Sequence, residues 1–212
     1  MATLGSLRGL IAERLQDPNF QSISASSVNA VINDSLRFYK FRRYWFNETE
    51  ADLTCTTNNP VLSPLPSNFL NELLRGGLAV YYSNSVYSLS KIDTERYDNM
   101  NTNNLGLPAF YTYRNNRIEL YPYPNLNYSV KLRYIKDYPD LVNDVDSNDF
   151  TEIADRVILY DALSRIYAEY KQDPNMEEYY SNRAVNEEAN ILKRSSALSG
   201  SGTLAIETQL FV

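Results

Sequence analysis

The sequence runs to 212 residues, with 20 Lys and Arg against 26 Asp and Glu, a formal net charge of −6 and no histidine. An acidic surface of this kind does not grip nucleic acid by charge alone, no apolar run approaches the roughly 20 residues that cross a bilayer, and the single Cys55 cannot build a disulfide framework. Hydrophobic residues at 43% and charged residues at 22% fit a folded globular chain long enough to bury a substantial core.

Met1-Ala2-Thr3-Leu4-Gly5 lacks the basic and apolar regions of a signal peptide, and the lone thiol fits a reducing cytoplasm. Leu4, Leu7, Ile11 and Leu15 share one helical face, with Thr3 placed to cap it. Asp17-Pro18-Asn19 ends this helix, because proline disfavours the helical conformation in the residue before it. The serine-rich cluster at 24–27 predicts a second helix. Its apolar face is Val28, Val31, Ile32, Leu36 and Tyr39, and it runs to about Tyr44. Its last turns carry Arg37, Lys40, Arg42 and Arg43, the chain's one basic concentration. Cations there complement the helix dipole, and the remainder is available to an acidic partner surface or to DNA phosphate. Trp45, beside this run, reads as a core anchor.

From Trp45 the period changes to short Thr- and Tyr-rich segments. Pro60, Pro64 and Pro66 argue against a continuous central strand in that region. Leu78 to Leu89 supplies one or two strands. The clearest hairpin is Ala109-Phe110-Tyr111-Thr112-Tyr113 and Ile118-Glu119-Leu120-Tyr121 around Asn115-Asn116, a pair that tolerates positive φ. Alternation returns at 128–135 as a third strand.

Helix resumes near Asp149, and 151–170 carries an apolar surface wide enough to be covered on more than one side. Asp173-Pro174 starts a last helix, with Asp173 as N-cap and Met176, Tyr180, Ala184 and Ile191 on its inner face. These elements predict an α+β chain: a helical bundle from 1–46 and 149–196, an inserted small antiparallel β lobe at 47–148, and an extended C-terminal arm at 197–212. In the arm, a Gly- and Ser-rich hinge precedes the β-prone run from Thr203 to Val212, which includes Leu204, Ile206, Leu210 and Phe211. Such an end either packs on its own domain or adds to a partner's sheet edge.

The residues offer little chemistry. Without histidine, the commonest general base and metal ligand is missing, and Cys55 has no imidazole to activate it. Gly200-Ser201-Gly202 is a hinge, not a phosphate loop. Asp144-x-Asp146-x-Asn148 begins like a calcium loop but has Asp149 at the sixth position and Asp155 at the twelfth, where glycine and a bidentate Glu are needed. No carboxylate pair stands out for glycoside hydrolysis. No cofactor, no metal and no enzymatic activity are therefore expected. The 18 tyrosines report either an AT-rich coding bias or contact surfaces, where Tyr is favoured.

In their order, these segments resemble the head-to-tail adaptor proteins of tailed bacteriophages, those of short-tailed phages above all. The likeness rests on Leu36-Arg37-Phe38-Tyr39-Lys40-Phe41-Arg42-Arg43-Tyr44-Trp45-Phe46-Asn47-Glu48, on Leu65-Pro66-Ser67-Asn68-Phe69-Leu70, on Leu107-Pro108-Ala109-Phe110-Tyr111, and on Ile118-Glu119-Leu120-Tyr121-Pro122-Tyr123-Pro124. The helix at 153–170 and Glu187-Glu188-Ala189-Asn190-Ile191-Leu192 complete it. The resemblance implies a dodecameric ring beneath the portal, with neighbouring adaptor subunits side by side and tail or nozzle proteins on the β lobe. Genomic DNA would pass through the channel without specific binding, sliding past acids such as those at 137–149. The C-terminal arm would reach the portal or a neighbour, making Leu204, Ile206, Leu210 and Phe211 contact candidates alongside Arg42 and Arg43. Assembly would occur in the host cytoplasm and the mature site would be the virion neck. Some relatives have been credited with cell-wall hydrolysis, for which no residues stand out here. The alternative is a tail terminator, or a tail subunit that binds host glycan through its Tyr-rich sheet.

Overall fold

The computed structural model describes residues 2–73, 76–101 and 104–198. The chain opens with α1 (Leu4–Arg14) and α2 (Ala25–Tyr39), then β1 (Glu48–Cys55), β2 (Val61–Leu62), β3 (Phe69–Glu72), β4 (Leu78–Tyr82), β5 (Ser85–Ser88) and β6 (Ser90–Lys91). After α3 (Thr94–Asp98) come β7 (Leu105–Gly106), β8 (Phe110–Arg114), β9 (Arg117–Tyr121), β10 (Tyr123–Pro124) and β11 (Tyr128–Lys136). It closes with α4 (Asp149–Ile153), α5 (Asp155–Ile166), a π turn (Tyr167–Lys171) and α6 (Pro174–Leu198). Helices, sheet and helices follow in the expected α+β order. Two compact units result, one from the described residues of 2–47 and 138–198, the other from those of Glu48–Asp137.

In the helical unit, Thr3 caps α1 through a reciprocal box with Ser6, and Ser24 caps α2 by accepting from the Ser27 N–H. Leu4, Leu7, Ile11, Val28 and Ile32 are fully buried, together with Ile158, Leu163 and Ile166 of α5. Each such side chain contributes about 1.5–3 kcal/mol of burial. α5 is the central element and touches α1, α2 and α6, in keeping with the wide apolar surface read there.

Three local features depart from the periodicity. α2 stops at Tyr39 and not near Tyr44, so Arg42 and Arg43 lie beyond the helix. The Asn47 side chain explains the stop: its Oδ1 accepts from the Tyr44 N–H at 2.8 Å and its Nδ2 donates to the Arg42 carbonyl at 2.7 Å, both in competition with a helical ladder. Tyr44 and Phe46 then turn inward against Phe150. The expected helix at 151–170 is divided at Ala154 (φ −117°, ψ 24°) and widens into the π turn after Ile166. In that turn the Tyr167 carbonyl accepts from Gln172 and Asp173 while the Tyr167 ring stacks on Tyr180 at 5.5 Å.

Residues 138–148, grouped with the β lobe on the sequence, pack with the helices. The unpaired N–H groups at the start of α1 draw them in: Leu4 donates to the Asp146 carbonyl and Gly5 to that of Asp144, both at 3.0 Å. Gly5 permits this approach, since a Cβ there would sit 3.0 Å from both the carbonyl oxygen and the Cβ of Asp144.

In the β unit, β11 is the central strand. It pairs antiparallel with β1, β3 and β4, and β5 extends the sheet from β4. Along β11, Tyr128, Val130, Leu132 and Tyr134 point inward and alternate with Ser129, Lys131 and Arg133. The predicted hairpin forms β8 and β9 in a second sheet ordered β2-β9-β8-β6, with Asn115 and Asn116 at φ 49° and 57°. The inner faces share one core: Leu78, Val80, Val130 and Leu132 from the first sheet meet Leu62, Tyr111, Ile118 and Leu120 from the second.

Candidate functional site

The sequence directs attention to the basic run after α2 and to the last helix, and the fold joins them. Asp173 caps α6 as expected, with Oδ1 accepting from the Asn175 and Met176 N–H groups at 3.1 Å. Tyr180 and Ala184 are buried on its inner face, with Met176 and Ile191 partly so. Glu188 lies on the same face and is also buried, which the sequence reading missed. A glutamate on an amphipathic helix reads as solvent-facing, and the available signal was its place four residues after Ala184 and three before Ile191.

Glu188 is bonded by the Arg42 guanidinium and by the Tyr44 hydroxyl, the latter at 2.7 Å. Burial, then the adjacent Glu188 charge and its hydrogen bond, hold the Tyr44 phenol far above the usual tyrosine range. Tyr44 therefore stays protonated and donates. At the next residue, the Trp45 backbone N–H donates to Ser195 Oγ at 3.3 Å, and the Arg194 guanidinium lies 4.7 Å over the indole. Trp45 packs against the helical core, as read, under this arginine cover. The segment 40–47 is thereby fastened along α6. A shallow cleft of ≈ 200 Å³ lies beside it, lined by Trp45, Ile153, Arg156, Glu187, Ile191 and Arg194 among others.

The end of α2 and the fastened loop together present an aromatic surface edged with cations. Phe38 and Phe41 are exposed. Arg42 and Arg165 lie over Phe38 at 4.8 and 5.5 Å, and Lys40 Nζ is 5.6 Å from the Phe41 ring. Of the two arginines singled out on the sequence, Arg42 thus spends its charge on Glu188, while Arg43 sits exposed past the helix.

The acids at 137–149 are placed by their own partners. Asp140 binds Arg37, Asp144 binds Arg8 at 2.7 Å, and Asp146 accepts from the Val142 and Asn143 N–H groups at 2.8 and 2.7 Å. Asn148 caps α4, and Asp149 accepts from the Tyr138 hydroxyl at 2.7 Å. Arg8 holds the Asp144 carboxyl below its ordinary value, and the two backbone donors do the same for Asp146. The residues of the calcium-like pattern serve as loop braces and a cap. Among the described residues no group of three or more acids, Cys or His could hold a metal ion. Cys55 is buried and its thiol is pushed up by burial, the reverse of an activated nucleophile.

On the β unit, Tyr81, Tyr82 and Tyr87 are exposed on β4 and β5. The arm candidates Leu204, Ile206, Leu210 and Phe211 lie outside the described residues. The geometry is thus one of braced surfaces, with no described constellation of reacting groups. No curated protein matches the chain. The likeness to phage head-to-tail adaptors carried by the separate motifs holds along the chain as a whole: the family model described as SU10 adaptor protein matches residues 2–205, and the chain belongs to that family.

Proposed function

We propose that this adaptor forms the ring between portal and tail in a phage virion. In this reading copies associate side by side into a dodecamer, seat on the portal, offer a platform to tail or nozzle proteins, and leave a central channel for genomic DNA. The observation that carries it is the family match over residues 2–205, which spans both compact units and reaches into the C-terminal arm. The role is geometric and not catalytic. Arg42, tied to Glu188, fixes the loop that presents Phe41 and Arg43, and Leu204, Ile206, Leu210 and Phe211 reach the portal or a neighbour. The exposed tyrosines of β4 and β5 favour a second reading, a tail terminator or a tail subunit that holds host glycan on an aromatic surface.

Electron microscopy of the full chain mixed with its portal separates the two. A closed ring seated on the portal is expected, and a chain cut after Ser196 should keep its circular dichroism spectrum but fail to seat. Glycan affinity with no portal-bound ring would favour the second reading. Normal seating by the truncated chain would remove the arm from the mechanism.

A further inference from the structure

The shallow cleft beside Trp45 belongs wholly to the helical unit. Trp45 and Ile191 are only partly buried in it and Ile153 is 39% exposed, so its apolar side faces water. Its volume of ≈ 200 Å³ lies below the roughly 300 Å³ at which small-molecule pockets begin, which suits the side chains of a peptide better. Its rim carries a charge without a counter-ion. Arg156 has Glu187 at 3.9 Å, whereas Arg194 has the Trp45 ring alone, and among the described residues no carboxylate pairs with it.

The chain itself supplies a segment that fits. α6 lines the cleft from Glu187 to Arg194 and ends at Leu198. At 1.5 Å per residue, Arg194 and Ile191 lie only about 6 and 10 Å back from that end. Glycines such as Gly200 and Gly202 let a chain reverse after a helix. An extended segment then covers about 3.3 Å per residue, which brings Leu204 and Ile206 within reach of the cleft. Two residues apart, they fall on one face of such a segment. Residues 199–212 contain one acid, Glu207, and no base, which is the charge that Arg194 lacks. A short tether rich in Gly and Ser gives an effective concentration in roughly the millimolar range, so a weak contact suffices to fill the cleft. A segment arriving from solution has no such advantage.

We propose that this cleft is the docking site of the chain's own C-terminal arm in the unassembled protein, with Leu204 and Ile206 against Trp45, Ile153 and Ile191 and with Glu207 beside Arg194. The docking does not depend on the ring reading above; under that reading, the portal or a neighbour takes the same residues over on assembly. Trp45 is the one tryptophan of the chain and reports the contact directly. Acrylamide quenching of its fluorescence is compared in the full chain, in a chain cut after Leu198, and in two full-length variants, Ile153→Asp and the double substitution Leu204→Ser with Ile206→Ser. Quenching should be at least about twofold less efficient in the full chain than in the cut chain, at every protein concentration. Both variants should quench like the cut chain, and a peptide of residues 199–212 added to the cut chain should restore the protection. Equal quenching in the full and cut chains would overturn the docking site, and protection that fades on dilution would overturn the chain's own arm as its occupant. Either result leaves the ring reading standing, which fails separately if no ring seats on the portal.

Discussion

Glu188 is a carboxylate placed on the inner face of α6, with its side chain 8% exposed. A buried charge is tolerable only when donors surround it, and here two arrive from the segment after α2. The arrangement makes the three residues unequal. Arg42→Ala leaves the carboxylate in place without its cation, whereas Glu188→Gln removes the charge and can still accept from Tyr44. Because the Arg42 side chain is 43% exposed, solvent softens the loss. Urea unfolding is expected to show a cost of about 2 kcal/mol for Arg42→Ala and about 1 kcal/mol for Glu188→Gln. The opposite ranking would mean that the Arg42 contact is not what fastens this segment to α6. Nothing in the sequence joins residue 42 to residue 188, since the spacing of a contact across a fold is set by packing. The same holds for Asp144 and Asp146, whose spacing begins like a calcium loop and fails as one, and whose partners, Arg8 and two backbone N–H groups, the spacing does not name.

Elements were most legible where a local chemical rule decides them. The caps at Thr3 and Asp173, the start of α2 at the serine cluster 24–27 and the Asn115-Asn116 hairpin are all readable, because a side chain or a positive φ acts within three or four residues. Where tertiary contacts decide, periodicity misled: α2 stops early because Asn47 and the Tyr44–Glu188 bond draw the chain away, and the residues at 138–148 join the helices because α1 needs acceptors. The assignment of β11 to one sheet and of β8 and β9 to another was likewise invisible, since both sets alternate alike. The hairpin supplies a test of the local rule. Asn115 sits at φ 49°, where a Cβ without a compensating polar group is unfavourable. Asn115→Ala should lower stability by about 1 kcal/mol, while Asn115→Gly should change it by no more than about 0.5 kcal/mol. Thermal melts of the two variants check this, and equal losses would point to side-chain contacts of Asn115 in place of backbone conformation.

At the scale of the molecule, each unit keeps its own core. The buried cluster of Cys55, Leu62, Leu78, Val80, Leu89, Tyr111, Ile118, Leu120, Tyr128, Val130, Leu132 and Tyr134 is drawn wholly from within Glu48–Asp137. The other cluster, from Leu4 to Ala184, takes nothing from that segment. The chain also leaves and returns at neighbouring points, because Glu48 at the start of β1 is paired with Ile135 near the end of β11. An insertion with adjacent ends and a closed core needs no partner to complete its sheets, and excision leaves the strand pairings within it intact. The segment 48–137 expressed alone should therefore give a β-type circular dichroism spectrum, dispersed amide resonances and one cooperative melt. A disordered spectrum would show that the sheets depend on the helices for their stability. A folded segment would instead allow each unit's surfaces to be tested for portal, tail and neighbour contacts separately.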